Sequence, residues 1–274
     1  YKNTKGLLLY LLGNENNYGL VWEGAETENI PVKEKKSTVR KRAKALYKLI
    51  NEAAVTMKTI DNSHPIALCN GDLQYLDLIV KECPDVDIFG ANIYRGKSFG
   101  DVFEKIKKKY CKPVLFTEFG SDALNAVSNL EDQNAQASIL KENWKEIYEN
   151  AAGVGKSGNC IGGFTFQFSD GWWKYGQTKN LDIHDLNASW GNGGYSFDYT
   201  KGKNNMNEEW FGICAKGPTD KDGLYPLYPR SAYYILQKVH QINPFTNGKS
   251  LNEIKYHFDK IQIMNASQKI ENNN

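Results

Sequence analysis

Two glutamates stand just after short apolar stretches of the chain. Glu15 follows the run 7–12 through a Gly-Asn pair, and Glu118 follows the run 114–116 with a single threonine between. If both runs are parallel strands, their carboxyl ends meet at one edge of the sheet and the two carboxylates converge there. A protonated carboxyl beside an ionised one is the pair that cleaves a glycosidic bond. One donates to the leaving oxygen, while the other attacks the anomeric carbon or activates water. Taken singly, either glutamate could instead be a helix N-terminal residue favoured by the helix dipole.

The elements that would position these glutamates alternate between short apolar strands and amphipathic helices. Strands are predicted over residues 6–13, 65–69, 86–93, 113–117 and 161–168. Helices are predicted over residues 36–58, 73–81, 99–109, 132–152 and 229–242. This alternation indicates a parallel sheet covered on both faces, which fits an open doubly wound sheet or part of a closed barrel. No strand is followed by G-x-G-x-x-G or a P-loop sequence, which excludes the nucleotide-binding open sheets.

Four motifs at the predicted strand ends carry a family resemblance. They are Gly13-Asn14-Glu15, the D-x-x-G-x-N-x-Y stretch 87–94, Thr117-Glu118-Phe119-Gly120, and the stretch 162–170, which ends in F-x-F-x-D. In that order they resemble strands four, six, seven and eight of the catalytic barrel of clan A glycoside hydrolases. The likeness is greatest to glycoside hydrolase family 2. Phe166 stands where that family usually has tryptophan, a departure at the sugar platform rather than in the chemistry.

The resemblance covers residues 6–243 and implies a fold and a mechanism. The fold is α/β, a (β/α)8 TIM barrel of which this chain carries only strands four to eight, followed by a polar tail or linker over residues 244–274. The mechanism is that of a retaining β-glycosidase acting on oligo- or polysaccharides, with Glu118 as nucleophile and Glu15 as acid/base. Such an enzyme needs no cofactor and no metal.

The resemblance also implies sugar contacts around the two glutamates. Asn14 would bond the sugar 2-hydroxyl, or else form an Asx turn or a helix cap. Tyr94 would donate its hydroxyl to Glu118 and keep that carboxylate ionised, or else be a core tyrosine. Asn70 and Asn92 would face the same edge of the sheet. Further candidates are the aromatics Trp22, Trp172 and Trp173, which could stack on a sugar, and Asp170, which could bond a hydroxyl or cap a turn.

The composition of the chain excludes several classes of binding partner. The net charge of +2 gives no electrostatic footprint for nucleic acid, and the basic run 33–48 is predicted to be the solvated face of an outer helix. No apolar run is long enough to span a membrane. The five cysteines are scattered and form no C-x-x-C pair, which predicts isolated buried thiols. His184 lacks the spacing of a metal site. A carbohydrate is therefore the expected partner, with a secreted or periplasmic location favoured over a cytoplasmic one.

Two other functions remain open from the sequence. The same machinery would transfer glycosyl units if a sugar hydroxyl outcompeted water at the glycosyl-enzyme. Alternatively, the chain could be part of a barrel that binds sugar without turning it over, since a fold alone does not fix function. The intact pair of glutamates argues for catalysis, and an activity assay on chromogenic glycosides distinguishes the two classes.

Overall fold

A computed structural model describes residues 1–20, 37–171, 178–179, 184–191 and 204–263 of this chain. Trp22, Trp172 and Trp173 lie outside the described residues, so their predicted sugar contacts stay predictions. The chain divides into two compact units. The first comprises Tyr1–Ile93, Gly100–Glu118 and Ser157–Gly163, and the second comprises Tyr94–Phe99, Phe119–Lys156 and Phe164–Asn274.

The described residues alternate between strands and helices, as the sequence predicts. The strands are β1 (Tyr10–Leu12), β2 (Ile66–Gly71), β3 (Ile88–Asn92), β4 (Val114–Phe119), β5 (Leu124–Asn125), β6 (Leu130–Glu131), β7 (Cys160–Thr165), β8 (Cys214–Lys216) and β9 (Leu227–Pro229). The α-helices are α1 (Ser37–Ile60), α2 (Leu76–Glu82), α3 (Val102–Lys109), α4 (Gln133–Glu149), α5 (Ser231–Val239) and α6 (Leu251–Asp259).

Five strands form one sheet in the order β1-β2-β3-β4-β7, with β1 and β7 at its edges. The pairs β1–β2, β2–β3 and β3–β4 are parallel. The mixed α/β class and the strand order are therefore confirmed. The strands in the described part of the chain do not close into an eight-stranded barrel, so the complete barrel remains a proposal.

The central strands have apolar sequences because both faces of the sheet are buried. Ala67, Ile88 and Leu115 from the three central strands form a buried cluster, against which Leu9 and Ile161 pack. All six residues of β2 and all five of β3 are buried, as expected for parallel strands covered on both faces.

Strand β1 is shorter than the predicted 6–13. The ladder begins where the Tyr10 N–H donates to the carbonyl oxygen of Pro65 at 3.0 Å. Before that point the Leu7 N–H bonds back to the Thr4 carbonyl in a turn, and Leu8 is 70% exposed. The apolar run is thus longer than the strand that it contains.

Helix α1 confirms a helix over residues 37–48 of the predicted basic run, and residues 33–36 lie outside the described residues. Its buried residues, Val39, Ala43, Tyr47 and Ala54, recur at helical spacing and form one stripe. Arg40 and Lys44 on its outer side pair with Asp77 and Glu82. The positive charge of this helix is therefore explained by its position at the surface.

In the second unit, α4 contacts both α5 and α6. Helix α4 is capped by Asp132, whose side chain accepts from the Ala135 N–H at 2.9 Å. Helix α6 lies within the predicted tail 244–274 and begins with a capping box between Ser250 and Glu253. Its Phe258 is fully buried and packs edge-on against Tyr148, 5.6 Å between ring centroids. This part of the tail is a packed helix.

Four of the five cysteines are buried free thiols, as predicted, whereas the prediction is wrong for Cys111, which is exposed. Cys111 has a φ of 56° in the turn between α3 and β4. Among the described residues no helix is both long and apolar enough to cross a membrane.

Candidate active site

Glu15 lies in a tight turn that follows β1. The turn starts at Gly13, with a φ of 77°, where an added Cβ would lie 2.1 Å from the Asn16 side-chain oxygen. That same oxygen accepts the Asn14 N–H at 3.1 Å. Glu15 itself has a φ of 52°, and its N–H donates to the Cys69 carbonyl oxygen at 3.1 Å. A left-handed conformation at a residue other than glycine costs about 1–3 kcal/mol and is concentrated at functional sites.

Glu118 is brought level with Asn92 by a β-bulge. Ala91 pairs with Phe116, but the next residue, Asn92, pairs with Glu118, so Thr117 is an extra residue in β4. The Ile93 N–H donates to the Glu118 carbonyl oxygen at 2.9 Å. Bulges of this kind re-aim side chains beside active sites. Here Glu118 is half-buried while the rest of β4 is buried.

A group of polar side chains lies at this carboxyl end of the sheet. We call it the carboxyl-end network, and its members are Asn14, Cys69, Asn92 and Thr117. The Thr117 hydroxyl donates to Asn92 Oδ1 at 2.6 Å, and Asn92 Nδ2 donates to Asn14 Oδ1 at 3.0 Å. The Cys69 Sγ lies 3.3 Å from Asn14 Oδ1, 3.3 Å from Asn92 Oδ1 and 3.2 Å from Thr117 Oγ1.

The pKa of the Cys69 thiol depends on its burial and on nearby charges. Burial raises its pKa to about 11, against a smaller lowering by the hydrogen bond with Thr117. The negative charges of Glu118 and Glu15 both raise the pKa further. The Glu15 N–H bonds the Cys69 carbonyl oxygen and Glu118 pairs with Asn92, so both residues lie at this end of the sheet. The convergence of their carboxylates stays a prediction.

The predicted asparagines fall on two different faces of the sheet. Asn92 is 2% exposed and belongs to the carboxyl-end network. Asn70 Oδ1 accepts from the hydroxyl of Tyr47 on α1 at 2.7 Å. Its Nδ2 donates to the carbonyl oxygens of Gly71, Asp72 and Gln74 at 3.1, 2.9 and 3.1 Å. The amide of Asn70 therefore faces the helix layer and holds the loop after β2.

The sequence predicted that Asn70 faces the carboxyl-end network, but the side chain that does so is that of its neighbour Cys69. Successive side chains of a strand point to opposite faces, so a one-residue error exchanges the network side for the helix side. Because all six residues of β2 are buried, the sequence of this strand carries no signal that could have identified Cys69.

Asp170 is engaged within the second unit. Its carboxylate binds the buried Arg230 through two contacts of 2.5 and 2.7 Å and accepts the Gly212 N–H at 2.9 Å. His184 Nε2 lies 3.0 Å from the same carboxylate. With 1% exposure, Asp170 has the surroundings of a residue that anchors the chain around Gly212, which is nearer to the predicted turn-capping role than to a sugar contact.

Tyr94 also belongs to the second unit, where it is surrounded by aromatic rings. It packs edge-on against Trp190, Phe211 and Phe166 at centroid distances of 5.4, 5.6 and 6.4 Å. This packing fixes the ring of Tyr94. Its predicted hydrogen bond to Glu118 stays a prediction.

Among the described residues no group of three or more histidine, cysteine or acidic side chains could hold a metal ion.

Comparison with known proteins gives likenesses of fold only. No protein-family model matches the chain, and no curated protein matches its sequence. A Bacteroides uniformis beta-glucuronidase 2 structure is 14% identical with a TM-score of 0.45, covering 76% of this chain and 22% of that one. The agarase AgWH50C is 15% identical with a TM-score of 0.41, covering 66% and 25%. A Rhizomucor miehei beta-1,3-glucanosyltransferase is 10% identical with a TM-score of 0.37, covering 82% and 64%. The chain thus spans about a quarter of the length of the first two, and scores this low do not assign a family.

Proposed function

We propose that this chain carries the catalytic pair of a retaining β-glycosidase that acts on oligo- or polysaccharides. Glu118 is the nucleophile and Glu15 the acid/base. The observation that supports the proposal is the position of both glutamates at the carboxyl end of one sheet, where the Glu15 N–H donates to the Cys69 carbonyl oxygen and Glu118 pairs with Asn92. Active sites of (β/α)8 enzymes lie at this end of the strands.

The proposed reaction has two displacements. In the first, Glu118 attacks the anomeric carbon while Glu15 protonates the departing glycosidic oxygen, which forms a glycosyl-enzyme. In the second, Glu15 removes a proton from water, which attacks the anomeric carbon and frees Glu118. The two inversions together retain the β-configuration. This assignment predicts a separation of about 5–5.5 Å between the two carboxyl groups, and a wider pair near ~9 Å would favour an inverting mechanism.

We also propose a family and a complete fold for the protein to which this sheet belongs. The motifs of the sequence suggest an enzyme of the glycoside hydrolase family 2 type, with the five-stranded sheet as strands four to eight. Closing a barrel would require further strands between the edges β1 and β7. Sugar specificity would then depend partly on those strands and their loops.

A mechanism-based trap tests the assignment directly. The full-length protein is incubated with a panel of activated 2-deoxy-2-fluoro β-glycosides, and the labelled peptide is identified by mass spectrometry. We expect the glycosyl group on Glu118. The Glu118→Gln variant should remain unlabelled, whereas Glu104→Gln, which alters an exposed carboxylate on α3, should label normally. Labelling of a different residue would overturn the assignment. Sugar binding without labelling or turnover would favour the non-catalytic sugar-binding alternative.

A further inference from the structure

The Cys69 side chain takes no part in the proposed displacements, yet it lies among three side-chain oxygens of the carboxyl-end network. Resting on the proposed function, we propose that Cys69 is a positioning residue: with Asn92 and Thr117 it fixes the Asn14 amide so that its N–H edge faces the substrate. Cys69 is 6% exposed and Asn92 is 2% exposed, so their contacts with each other and with Thr117 are buried, while their contacts with Asn14 are partly buried.

The hydrogen bonds of the network have a direction. The hydroxyl of Thr117 donates to Asn92 Oδ1 at 2.6 Å, so the carbonyl end of the Asn92 amide faces Thr117. The other end of Asn92 is then the donor, and it faces Asn14 Oδ1 at 3.0 Å. A flipped Asn14 would place its own N–H groups against this donor, so the contact selects one orientation of Asn14.

Cys69 supplies the second contact to the same oxygen. Its Sγ lies 3.3 Å from Asn14 Oδ1, so this carbonyl oxygen has a neutral thiol as well as an amide within reach. A thiolate at this position would face the carbonyl oxygens of Asn14 and Asn92 without a proton to share. The thiol that burial keeps protonated is therefore the form that the network requires.

The consequence lies at the other end of Asn14. In the described part of the chain, Asn14 Nδ2 has no hydrogen-bond partner, and the residue is exposed beside Glu15. It presents two donors and no acceptor. The ligand group that this edge recognises is therefore an acceptor oxygen, such as a hydroxyl next to the carbon under attack.

Three single variants test the role of the thiol in the full-length protein. Cys69→Ala removes the donor and should lower kcat/KM by about 3- to 10-fold, the scale of one neutral hydrogen bond. Cys69→Ser keeps a donor and should recover most of that loss. Cys160→Ala is the matched control, because it removes another buried thiol whose Sγ is 3.7 Å from its nearest acceptor, and it should leave kcat/KM unchanged. Equal losses in the Ser and Ala variants would overturn the proposal.

A double-mutant cycle separates positioning from general packing. If Cys69 acts through Asn14, the effect of Cys69→Ala on kcat/KM disappears in an Asn14→Ala background. Independent structural damage would instead give losses that add on the free-energy scale. Additive losses would therefore overturn the positioning role even if both single variants were impaired.

A third measurement does not depend on activity. The Asn14 side-chain amide resonances, assigned by their absence from Asn14→Ala, should shift in Cys69→Ala and stay in place in Cys160→Ala. Unchanged Asn14 resonances in Cys69→Ala would overturn the positioning role whatever the kinetics. If instead they shift while the protein hydrolyses no glycoside, the proposed function fails and the positioning of Asn14 stands.

Discussion

The two ends of the sheet in the first unit both carry polar side chains, and they use them differently. At the amino end, Tyr10, Asp61, Ser63 and His64 form what we call the amino-end network. Asp61 Oδ1 accepts the N–H and O–H of Ser63 at 3.0 and 2.6 Å, while Oδ2 accepts from Tyr10 at 2.9 Å and lies 2.8 Å from His64 Nδ1. Both oxygens of this buried carboxylate are engaged within the protein.

The carboxyl-end network is instead left open on one side, because Asn14 keeps its donors and two glutamates stand beside it. A network whose polar atoms all bond within the protein holds chain segments together. A network that leaves donors facing solvent can bind a ligand with them. This difference agrees with the rule that the amino end of such a sheet serves stability and the carboxyl end serves chemistry.

Residue types alone would not have separated the two ends. Ser63, His64 and Asp61 are the types of a nucleophilic triad, but the serine and the aspartate both approach the same ring nitrogen of His64, at 3.2 and 2.8 Å. A relay needs them on opposite nitrogens. The geometry therefore makes the amino-end network a structural anchor.

The strongest test of this contrast is removal of the proposed nucleophile. Glu118→Gln should lower kcat by at least about 10⁴-fold, the scale on which loss of an essential nucleophile is felt. The thermal midpoint should change little because Glu118 is only half-buried. Steady-state kinetics and calorimetry on the same preparations measure both quantities. Residual turnover within a hundredfold of the wild type would remove Glu118 from the chemistry.

Removal of the proposed acid/base should give the next largest effect, and the size of that effect should depend on the substrate. Glu15→Gln should slow the cleavage of alkyl β-glycosides by about 10²–10⁴-fold, and that of activated aryl glycosides much less, because their leaving groups need little protonation. Azide should partly restore turnover to Glu15→Ala by attacking the glycosyl-enzyme, giving the β-glycosyl azide. An α-configured azide product would mean that the two roles are exchanged.

A smaller effect should distinguish the two faces of the sheet within its carboxyl end. Asn70→Ala removes the hydrogen bonds that Asn70 makes with the Tyr47 hydroxyl and with three loop carbonyls, and should cost about 2–4 kcal/mol of folding free energy. Asn14→Ala should cost activity with little stability. Chemical denaturation of both variants, with kcat/KM per folded molecule, measures the contrast. The opposite pattern would place Asn70 in the site and Asn14 in the fold.

The smallest effect concerns pH and the amino end. Hydrogen bonds from Ser63 are the main cause that holds the pKa of the Asp61 carboxyl well below its usual range. Because the folded-state pKa is lowered, the stabilisation is complete above the ordinary carboxyl pKa of about 4 and is lost as the pH falls below it. Thermal midpoints measured across acid pH should fall more steeply for the wild type than for Asp61→Asn. Parallel curves would contradict this role of Asp61, and activity per folded molecule at neutral pH should be the same in both.

The sequence predicted the strands and helices and the position of the two glutamates near strand ends. It did not predict which face of the sheet each side chain on those strands points to. The central strands are apolar on both faces, so no alternation in β2 shows whether Cys69 or Asn70 faces the network. The bulge at Thr117 shifts the phase again within β4, and a single sequence carries no signal for it. The contact of Asp170 with Arg230 joins residues 60 positions apart, beyond the reach of local patterns.

The exposed thiol of Cys111 offers a site at which this chain can be coupled covalently to a surface. It follows α3 and precedes β4, so it lies at the amino end of the sheet, away from Glu15 and Glu118. The other four thiols are buried, and burial raises the pKa of both Cys83 and Cys160 to about 12, which makes them slow to alkylate. A maleimide reagent will therefore couple to the folded chain at one place, so that molecules tethered to a sensor surface through Cys111 share one orientation.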